Sequence, residues 1–473
     1  MTALTKDTTA ELNGMARLRP PYGSVLDLIG ETPVVELTKF DTGRCRLFIK
    51  LESQNPGGSI KDRIALSMID AAEQDGRLRA GGTVVEATAG NTGLGLALVA
   101  RAKGYRVLLV IPDKMSAEKV LHLKALGAEI RTTRSDVIKG HPEYYQDMAA
   151  RLAAEIPGAF YANQFGNPSN PAAHERTTGP EVWEQMQHHV DAVVCGVGSG
   201  GTLTGLTHYF ARVSPATEMV LADPLGSVLA QYVETGKIGE AGSWVVEGIG
   251  EDFIPPIADL SRVRKAYSIP DKESLLTARE LLKSELILGG SSAGTLVAAA
   301  LRYCREQSSA KHVVTFIPDT GSKYLSKMYN DFWMREQGFL REAPRGDLRD
   351  VIARSADQHS VVGVAPEDRL LVAYSRMKLY DISQLPVMDQ DQIVGLLDES
   401  DLLLALHNDS SAFQRPVKSI MSQKLTTVPV SASVESLLPI FERGLVVIVC
   451  DGPRFLGLIT RIDVLNYLRR KLS

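Results

Sequence analysis

Two apolar, strand-like runs in this chain each lead through a glycine-rich turn into a run with helical spacing. The first turn is Ala87-Thr-Ala-Gly-Asn-Thr-Gly93, and the second is Gly196-Val-Gly-Ser-Gly-Gly-Thr-Leu-Thr-Gly205. Alternating strands and helices predict a parallel sheet covered on both faces, and ligands of such sheets bind beyond the carboxyl ends of the strands. We therefore predict an α/β fold with both turns near a ligand site. Strands are predicted at residues 24–40 and 46–52 (short strands joined by turns), 81–86, 106–112 and 192–195, and helices at 94–102 and 116–126.

The composition predicts a globular protein with more than one domain. A chain of 473 residues is too long for one ordinary core, and a net charge of −4 offers no basic face to nucleic acid or anionic lipid. The first residues are polar, and no apolar run reaches membrane-spanning length, so we expect a cytoplasmic protein. The cysteines have no paired spacing, which predicts reduced, buried thiols rather than disulfides or a metal site: Cys45, Cys195, Cys304 and Cys450.

The segment Asn55-Pro-Gly-Gly-Ser-Ile-Lys61-Asp-Arg63 places a lysine just after a glycine pair. The apolar residues that follow have helical spacing, so Lys61 is predicted to lie in the first turn of a helix. A helix N-terminus disfavours an ammonium ion and favours a neutral or covalently bound nitrogen. This is a suitable setting for a Schiff-base lysine, although on this motif alone a solvated surface lysine is the more common explanation.

The second glycine turn predicts a phosphate cradle, because backbone amides and a helix dipole converge there. Gly196-x-Gly198-x-x-Gly201 also fits the dinucleotide fingerprint, with Asp223 near the expected place of a ribose-binding acid. The loop by itself leaves a dinucleotide and a single phosphate-bearing cofactor equally open. A third turn, at residues 288–294, contains Ser291 and Ser292, which either bond a heterocyclic nitrogen or simply cap the following helix.

The C-terminal part of the chain repeats itself. Residues 393–402 match residues 456–464, and the interval from Gly395 to Gly457 equals that from Asp401 to Asp463. Each copy is predicted to be a strand, a turn, a strand and a helix that starts with an acid. One copy is too small to bury its own apolar face, so the two copies are expected to pack as one unit.

Taken together, the lysine motif, the Thr-x-Gly-Asn-Thr turn, the glycine loop and the Gly-Gly-Ser near residue 290 resemble the fold type II pyridoxal-phosphate enzymes. Within them the chain is most similar to the cysteine synthase/cystathionine β-synthase family, and its repeat resembles a Bateman module of paired CBS domains. The resemblance covers about residues 22–473. It implies an α/β catalytic domain of two subdomains followed by tandem CBS domains: a polar arm at 1–21, the catalytic domain at 22–342, a linker at 343–352, and CBS repeats at 353–410 and 414–473.

The resemblance also implies roles for individual residues. Lys61 would form the imine with pyridoxal 5′-phosphate and then carry the proton, Asn91 would bond the 3′-hydroxyl, and Ser291 would face the pyridine nitrogen. The cofactor phosphate would be held by Gly198, Ser199, Gly200, Gly201 and Thr202. The substrate would be bound by Thr88, Ala89, Gly90, Asn91, Thr92, Gln164, Gly248 and Glu251.

Two of these positions depart from the usual family pattern. Ala89 replaces a serine of the substrate turn. Glu251 stands where animal enzymes have a tyrosine, and its carboxylate either holds the amino group of homocysteine or is an exposed loop acid.

The implied reaction is a β-replacement that joins serine or O-acetylserine to homocysteine and yields cystathionine. A cysteine synthase that uses sulfide is the alternative within the family, since residues 163–171 resemble O-acetylserine sulfhydrylases. A non-catalytic adenosine-nucleotide sensor is the alternative of another class. A homodimer or higher homo-oligomer is expected from the family. The residues that precede the match contain neither cysteine nor histidine, so no haem is expected.

Four residues of the repeat match positions that contact adenosyl ligands in Bateman modules. They are Asp398, Asp401, Thr460 and Asp463. S-adenosylmethionine or an adenine nucleotide is the ligand that this match implies. Helix capping by the same residues, in a module that serves only self-association, is the alternative.

Overall fold

The computed structural model of this protein describes residues 21–88, 90–113, 117–134, 136–137, 140–340, 345–356, 361–409 and 411–472. The chain divides into two compact units, Met1–Leu325 and Ser326–Ser473. This division falls before the end of the predicted catalytic domain at residue 342. The predicted domain boundaries themselves stay predictions.

The first unit alternates strands with helices, as predicted. Its strands are β1 (Val34–Leu37), β2 (Arg46–Lys50), β3 (Thr83–Ala87), β4 (Arg106–Pro112), β5 (Glu129–Thr133), β6 (Ala159–Tyr161), β7 (Ala192–Gly196), β8 (Glu218–Pro224), β9 (Val263–Ile269) and β10 (His312–Phe316). Its helices are α1 (Lys61–Gln74), α2 (Asn91–Ala102), α3 (Ala117–Ala125), α4 (Tyr145–Glu155), α5 (Ser169–Ala173), α6 (Gly179–Gln185), α7 (Gly201–Val213), α8 (Leu229–Thr235), α9 (Asp271–Glu285) and α10 (Ser291–Arg305).

Two sheets organise this unit. The larger has six strands in the order β1-β2-β10-β7-β8-β9, and only the β1–β2 pair is antiparallel. The smaller has four parallel strands in the order β5-β4-β3-β6. This parallel-rich architecture confirms the predicted α/β fold. It also brings the ends of β3, β7 and β10, and therefore both glycine turns, to ligand-binding positions.

Both faces of the smaller sheet are buried, because successive side chains of a strand point to opposite faces. Val84 of β3 packs in a cluster with residues of α1 and α2. Its neighbours Val85 and Ala87 pack on the other face, against Ala149 of α4. This explains why all five residues of β3 are buried, instead of alternating between buried and exposed.

The prediction of strands at residues 24–40 is wrong for Val25–Leu28, which forms a 3-10 helix. The Ser24 side chain accepts a bond from the Leu26 N–H, and the Asp27 carboxylate accepts one from the Ser24 N–H. This capping box satisfies backbone donors locally and so favours a helical turn over a strand. Only β1 is extended in that segment.

The second unit contains the sequence repeat, and the predicted order of strand, turn, strand and helix is confirmed in each copy. Its helices are α11 (Asp331–Glu336), α12 (Leu370–Tyr380), α13 (Glu399–Asn408), α14 (Leu438–Glu442) and α15 (Arg461–Leu472). Its strands are β11 (Gln384–Asp389), β12 (Gln392–Asp398), β13 (Thr427–Pro429), β14 (Val447–Asp451) and β15 (Arg454–Ile459). Each copy has its own hydrophobic cluster. Leu348 and Val351, from the predicted linker, are buried in the cluster of the second copy.

The described residues contain neither a candidate membrane-spanning helix nor a cluster of metal ligands. No helix there is both long enough and apolar enough to cross a membrane. Across the same residues, no three or more His, Cys, Asp or Glu side chains are grouped so as to hold a metal ion.

Candidate active site

A pocket of about 270 Å³ opens in the first unit where β3, β7 and β10 end. It gathers predicted site residues from distant parts of the sequence. The predicted residues that line it are Lys61, Thr88, Gly90, Asn91, Thr92, Gln164, Gly198, Ser199, Gly200, Gly201, Thr202, Gly248 and Glu251. Ala89 lies outside the described residues. Ser291 is not among the lining residues, whereas its neighbour Ser292 is.

Lys61 is the first residue of α1, which confirms its predicted place in the first turn of a helix. The turn before it is tied to the larger sheet, because the Ile60 N–H donates to the Pro318 carbonyl over 2.8 Å. Burial lowers the pKa of Lys61, and the negative charges of nearby groups, including Glu251, offset this only in part. A lysine whose pKa is lowered has more of the neutral amine that attacks a carbonyl carbon.

The glycine loop has the geometry of a phosphate cradle. Gly200 caps α7 with φ of 91°, a left-handed conformation that glycine adopts without strain. No side chain caps α7, so its first N–H groups are left for another acceptor. A Cβ atom on Gly201 would lie 1.8 Å from Asn170 Oδ1, so only glycine fits there. These observations fit a phosphate-bearing cofactor at the N-terminus of α7.

Two residues that the sequence did not reveal hold this loop from behind. Asn170 Nδ2 donates to Ser199 Oγ over 3.0 Å. His174 Nε2 lies 3.2 Å from Thr202 Oγ1, and its Nδ1 lies 2.9 Å from Thr178 Oγ1. Burial lowers the pKa of His174 well below its usual value, so the ring is neutral. Asn170 lies within residues 163–171, which resemble O-acetylserine sulfhydrylases, and His174 lies just after them. That resemblance did not predict a role for either residue.

The turn after β3 brings several predicted substrate-binding residues to the pocket. Thr92 Oγ1 donates to Gln164 Oε1 over 2.7 Å, which joins two predicted substrate-binding residues. Behind them, the buried Glu86 accepts bonds from the N–H groups of Ala87 and Gln164, and burial raises its pKa to about 7. Gly90 caps α2 without a side-chain bond, so the first N–H groups of this helix also lack a side-chain cap.

Glu251 is half-buried in the pocket wall and is not an exposed loop acid. Its backbone is fixed, since its N–H donates to Ser227 Oγ over 3.1 Å and its carbonyl accepts from the Val228 N–H over 3.0 Å. Burial, with a smaller contribution from Asp252, raises the pKa of Glu251 to about 8, while Lys61 opposes the rise. Within the described part of the chain, no hydrogen bond or ion pair reaches this carboxylate.

Ser291 and Asn91 have protein partners that sequence reasoning did not anticipate. Gly290, not a serine, caps α10, and Ser291 Oγ accepts a bond from the Glu247 N–H over 2.9 Å. The Asn91 amide is bonded by Asp319 and Lys323, more than two hundred residues away in the sequence. The role of Ser291 at the pyridine nitrogen stays a prediction.

In the second unit, the four predicted ligand residues lie at helix starts. Asp398 and Asp401 form a capping box at the start of α13. Asp463 Oδ2 accepts bonds from the N–H and the hydroxyl of Thr460, just before α15. This is the helix-capping arrangement that was considered as the alternative, and ligand binding by these residues stays a prediction.

The comparisons with known proteins agree with this geometry. The sequence matches the family described as pyridoxal-phosphate dependent enzyme over residues 25–319, and the CBS domain family over residues 349–408 and 417–470. It is similar to cystathionine beta-synthase of Dictyostelium discoideum, with 34% identity over 467 residues that cover 94% of this chain and 92% of that protein.

Two solved structures are similar to this chain over about two thirds of its length. O-ureido-L-serine synthase superposes with a TM-score of 0.62 at 33% identity, covering 69% of this chain and 98% of its own. The O-acetylserine dependent cystathionine beta-synthase from Helicobacter pylori superposes with a TM-score of 0.60 at 35% identity, covering 65% of this chain and 99% of its own.

Proposed function

Because the chain belongs to the pyridoxal-phosphate-dependent enzymes, in the family that contains the cystathionine β-synthases, we propose that it catalyses a β-replacement. In this reaction L-serine or O-acetylserine loses its β-substituent, and the thiol of L-homocysteine takes that place to give L-cystathionine. The observation that carries the proposal is the convergence of Lys61, the glycine loop and the Glu251 carboxylate on one pocket. When bound, pyridoxal phosphate supplies the electron sink that such chemistry needs.

Lys61 is proposed to hold the cofactor and then to move the proton of the substrate α-carbon. Support comes from its place in the pocket and from the burial that lowers its pKa, because a neutral amine can accept a proton near neutral pH. The glycine loop would bind the cofactor phosphate through the N–H groups at the start of α7. The first N–H groups of α2, with Thr92 and Gln164, would bind the substrate carboxylate.

Glu251 is the reason to favour homocysteine over sulfide as the nucleophile. A carboxylate that is half-buried without a bonded partner is costly, and an ammonium group of the second substrate would offset that cost. Homocysteine carries such a group and sulfide does not. Among the described residues that line the pocket, no comparable feature separates hydroxide from acetate as the leaving group, so the proposal includes both serine and O-acetylserine as first substrates.

Steady-state kinetics test the proposal directly. Serine and O-acetylserine should each be offered with homocysteine and with sulfide, and the products identified by mass spectrometry. Cystathionine formation with kcat/KM higher for homocysteine than for sulfide is expected. Formation of cysteine alone would instead make the protein a cysteine synthase.

A lysine variant tests the cofactor site separately. Lys61→Ala should lose both turnover and the visible absorption of the lysine-bound cofactor, while its thermal unfolding remains that of a folded protein. Lys272→Ala is the matched control, because Lys272 also lies in the first turn of a helix, α9, but is exposed. If the wild-type protein stays colourless after incubation with pyridoxal phosphate, it does not bind the cofactor through Lys61. That result would favour the non-catalytic nucleotide sensor.

Self-association is proposed on the basis of exposed apolar side chains in the second unit. In the first repeat they lie on α12 and α13, and in the second on α14 and α15, a pattern that marks association surfaces. They are Leu371, Tyr374, Leu379, Tyr380, Leu403, Leu404, Leu438, Ile462, Leu465 and Leu468. Light scattering over a range of protein concentrations tests this, and a monomer at all of them would contradict it.

A cytoplasmic location is proposed because the cysteines are free and three of them, Cys45, Cys195 and Cys304, are buried thiols. Fractionation of cells that express the protein would check the location.

The second unit is proposed to regulate the enzyme by binding an adenosyl ligand, such as S-adenosylmethionine or an adenine nucleotide. Support comes from the match of both repeats to CBS domains and from Thr460 and Asp463 at the start of α15. Isothermal titration of the whole protein with S-adenosylmethionine, ATP and AMP tests this, with Asp463→Asn as the weakened variant. If none of the three ligands binds, the second unit would instead serve only self-association.

A further inference from the structure

A buried cluster of three side chains lies behind Asn91 and has no role in the proposal so far. Asn91 Nδ2 donates to Asp319 Oδ2 over 2.8 Å, and Lys323 Nζ donates to Asn91 Oδ1 over 2.6 Å. The Tyr324 hydroxyl donates to the same Asp319 oxygen over 2.8 Å. Asn91 therefore has an acceptor on its nitrogen and a cation on its oxygen.

Lys323 also ties Asn91 to the turn that precedes Lys61. Its ammonium group reaches the carbonyl oxygens of Gly57 and Gly58 at 3.3 and 3.4 Å. With the bond to Asn91, this accounts for all three of its donors. Burial lowers the pKa of Lys323, which the negative charge of Asp319 opposes. The lysine thus joins two walls of the pocket to each other.

The burial of the Asp319 carboxyl is unfavourable for the free energy of folding. Its side chain is 1% exposed, and its Oδ1 atom has no hydrogen-bond partner among the described residues. Burial raises the pKa of this carboxyl, while Lys323 and the bonds from Asn91 and Tyr324 oppose the rise. A buried oxygen left without a partner is rare in proteins and calls for a reason.

The cluster supplies that reason, because it settles which way the Asn91 amide points. The oxygen and nitrogen of an asparagine amide are nearly the same size, so only hydrogen-bond partners fix their orientation. Here the acceptor Asp319 and the donor Lys323 allow one orientation only. In that orientation the amide oxygen is occupied, and one N–H of the amide remains to donate to a ligand in the pocket.

We propose that Asp319 is a positioning residue, which with Lys323 holds the Asn91 amide so that it presents an N–H, and not its oxygen, to the phenolic oxygen of pyridoxal phosphate. This rests on the proposed function. An N–H donor favours the negatively charged form of that oxygen, so the proton stays on the imine nitrogen. The same carboxylate connects the two ends of the cofactor site, because Tyr324 also bonds the Ser291 hydroxyl.

The absorption spectrum of the bound cofactor tests the proposal, since the two positions of the proton absorb at different wavelengths. Asp319→Ala removes the acceptor, so the Asn91 amide is held at its oxygen only, by Lys323. The band of the form with its proton on the phenolic oxygen should grow. We expect kcat to fall roughly ten- to a hundred-fold, as for other residues that orient a binding group, with KM little changed. Asp319→Asn can keep an oxygen in the place of Oδ2 and should restore most of the wild-type spectrum and kcat.

Two further variants guard this test against misfolding. Lys323→Met removes the donor to the Asn91 oxygen and keeps the Asp319 side chain in place. It should change the spectrum in the same direction, so it replaces Asp319→Ala if that protein does not fold. Asp223→Ala is the matched control. It is equally buried, also has an oxygen without a partner, and accepts from the Ala230 N–H rather than from the pocket. It should lose stability and keep the spectrum.

The inference would be overturned if Asp319→Ala or Lys323→Met, at full cofactor content, had the wild-type spectrum. It would also be overturned if the spectrum of Asp319→Asn were shifted as far as that of Asp319→Ala. These outcomes are distinct from failure of the proposed function, in which the wild-type protein binds no cofactor through Lys61.

Discussion

The ion-pair network of Glu181 allows a stability prediction with a defined size. Both oxygens of Glu181 accept bonds from Arg63, each at 2.7 Å, and one of them lies 2.8 Å from Lys50 Nζ. The side chains of Lys50 and Arg63 are 0% and 2% exposed, and that of Glu181 is 17% exposed. Among the described ion pairs, Arg63 is also bonded by the buried Glu52. Replacing Glu181 by Gln therefore leaves Lys50 without its ion-pair partner and Arg63 with Glu52 alone.

The pKa of Glu181 gives the magnitude. Burial alone would raise this pKa, but the bonds and charges of Arg63 and Lys50 lower it from 4.5 to about 2. Since each pKa unit corresponds to about 1.36 kcal/mol, the charged carboxylate stabilises the folded state by about 3 kcal/mol. This agrees with the roughly 3–5 kcal/mol that is lost when one partner of a buried ion pair is removed. Glu181→Gln should lower the unfolding temperature of the first unit by roughly 5 °C at pH 7.

The pH dependence has a definite sign. The folded pKa lies below the unfolded one, so the stabilisation is fully present above pH 4.5 and is lost as the pH falls toward 2. Scanning calorimetry of both proteins from pH 7 downward should therefore show their unfolding temperatures converging. Glu184→Gln on the same helix is the control, because Glu184 is 71% exposed and pairs with His188, which is also on the surface. Such a surface pair contributes about 1 kcal/mol at most.

Two results would refute this reasoning about Glu181. One is equal unfolding temperatures of Glu181→Gln and the wild type at pH 7. The other is a difference that persists unchanged to the lowest pH at which both proteins fold, because the loss would then be one of packing rather than of charge.

Three further predictions concern the pocket. Glu251→Gln should lower kcat/KM for homocysteine by roughly ten- to a hundred-fold, as for a lost charged hydrogen bond, and should leave kcat/KM for sulfide unchanged. Burial raises the pKa of Glu251 to about 8, so its carboxyl becomes charged as the pH rises through 8. The ratio of kcat/KM for homocysteine between the wild type and Glu251→Gln should therefore increase over this range, which pH–rate profiles would show. Gly201→Ala places a Cβ atom 1.8 Å from Asn170 Oδ1 and should weaken cofactor binding, measured by fluorescence titration, whereas Gly236→Ala meets no atom within 4 Å and should not.

Local patterns in the sequence were sufficient for the parts of the site that depend on a few consecutive residues. The glycine pair before Lys61 and the apolar run after it predict a helix start, and the helix starts there. The glycine loop precedes α7 in the same way. These elements depend on backbone conformation and on hydrogen bonds between near neighbours. Both can be predicted from a few consecutive residues. The repeat was visible for the same reason, because each copy is one short supersecondary unit.

No local sequence pattern predicted the contacts between segments that are distant in the sequence. Asp319 follows β10, and Lys323 lies in the 3-10 helix Gly321–Tyr324 just after it. Only the sheet order, with β10 between β2 and β7, brings this segment into contact with Asn91. Glu251 looked equally like an exposed loop acid, and only packing decided that its carboxylate faces the pocket and that its pKa rises.

The sequence by itself therefore determined the chemistry that this protein has available: an amine at a helix start, a phosphate cradle and a repeated C-terminal unit. Tertiary structure alone decided which charges are buried, what they pair with and which way they point. The physical reason is that burial and ion pairing depend on which residues meet after folding, and a linear pattern does not record those distances.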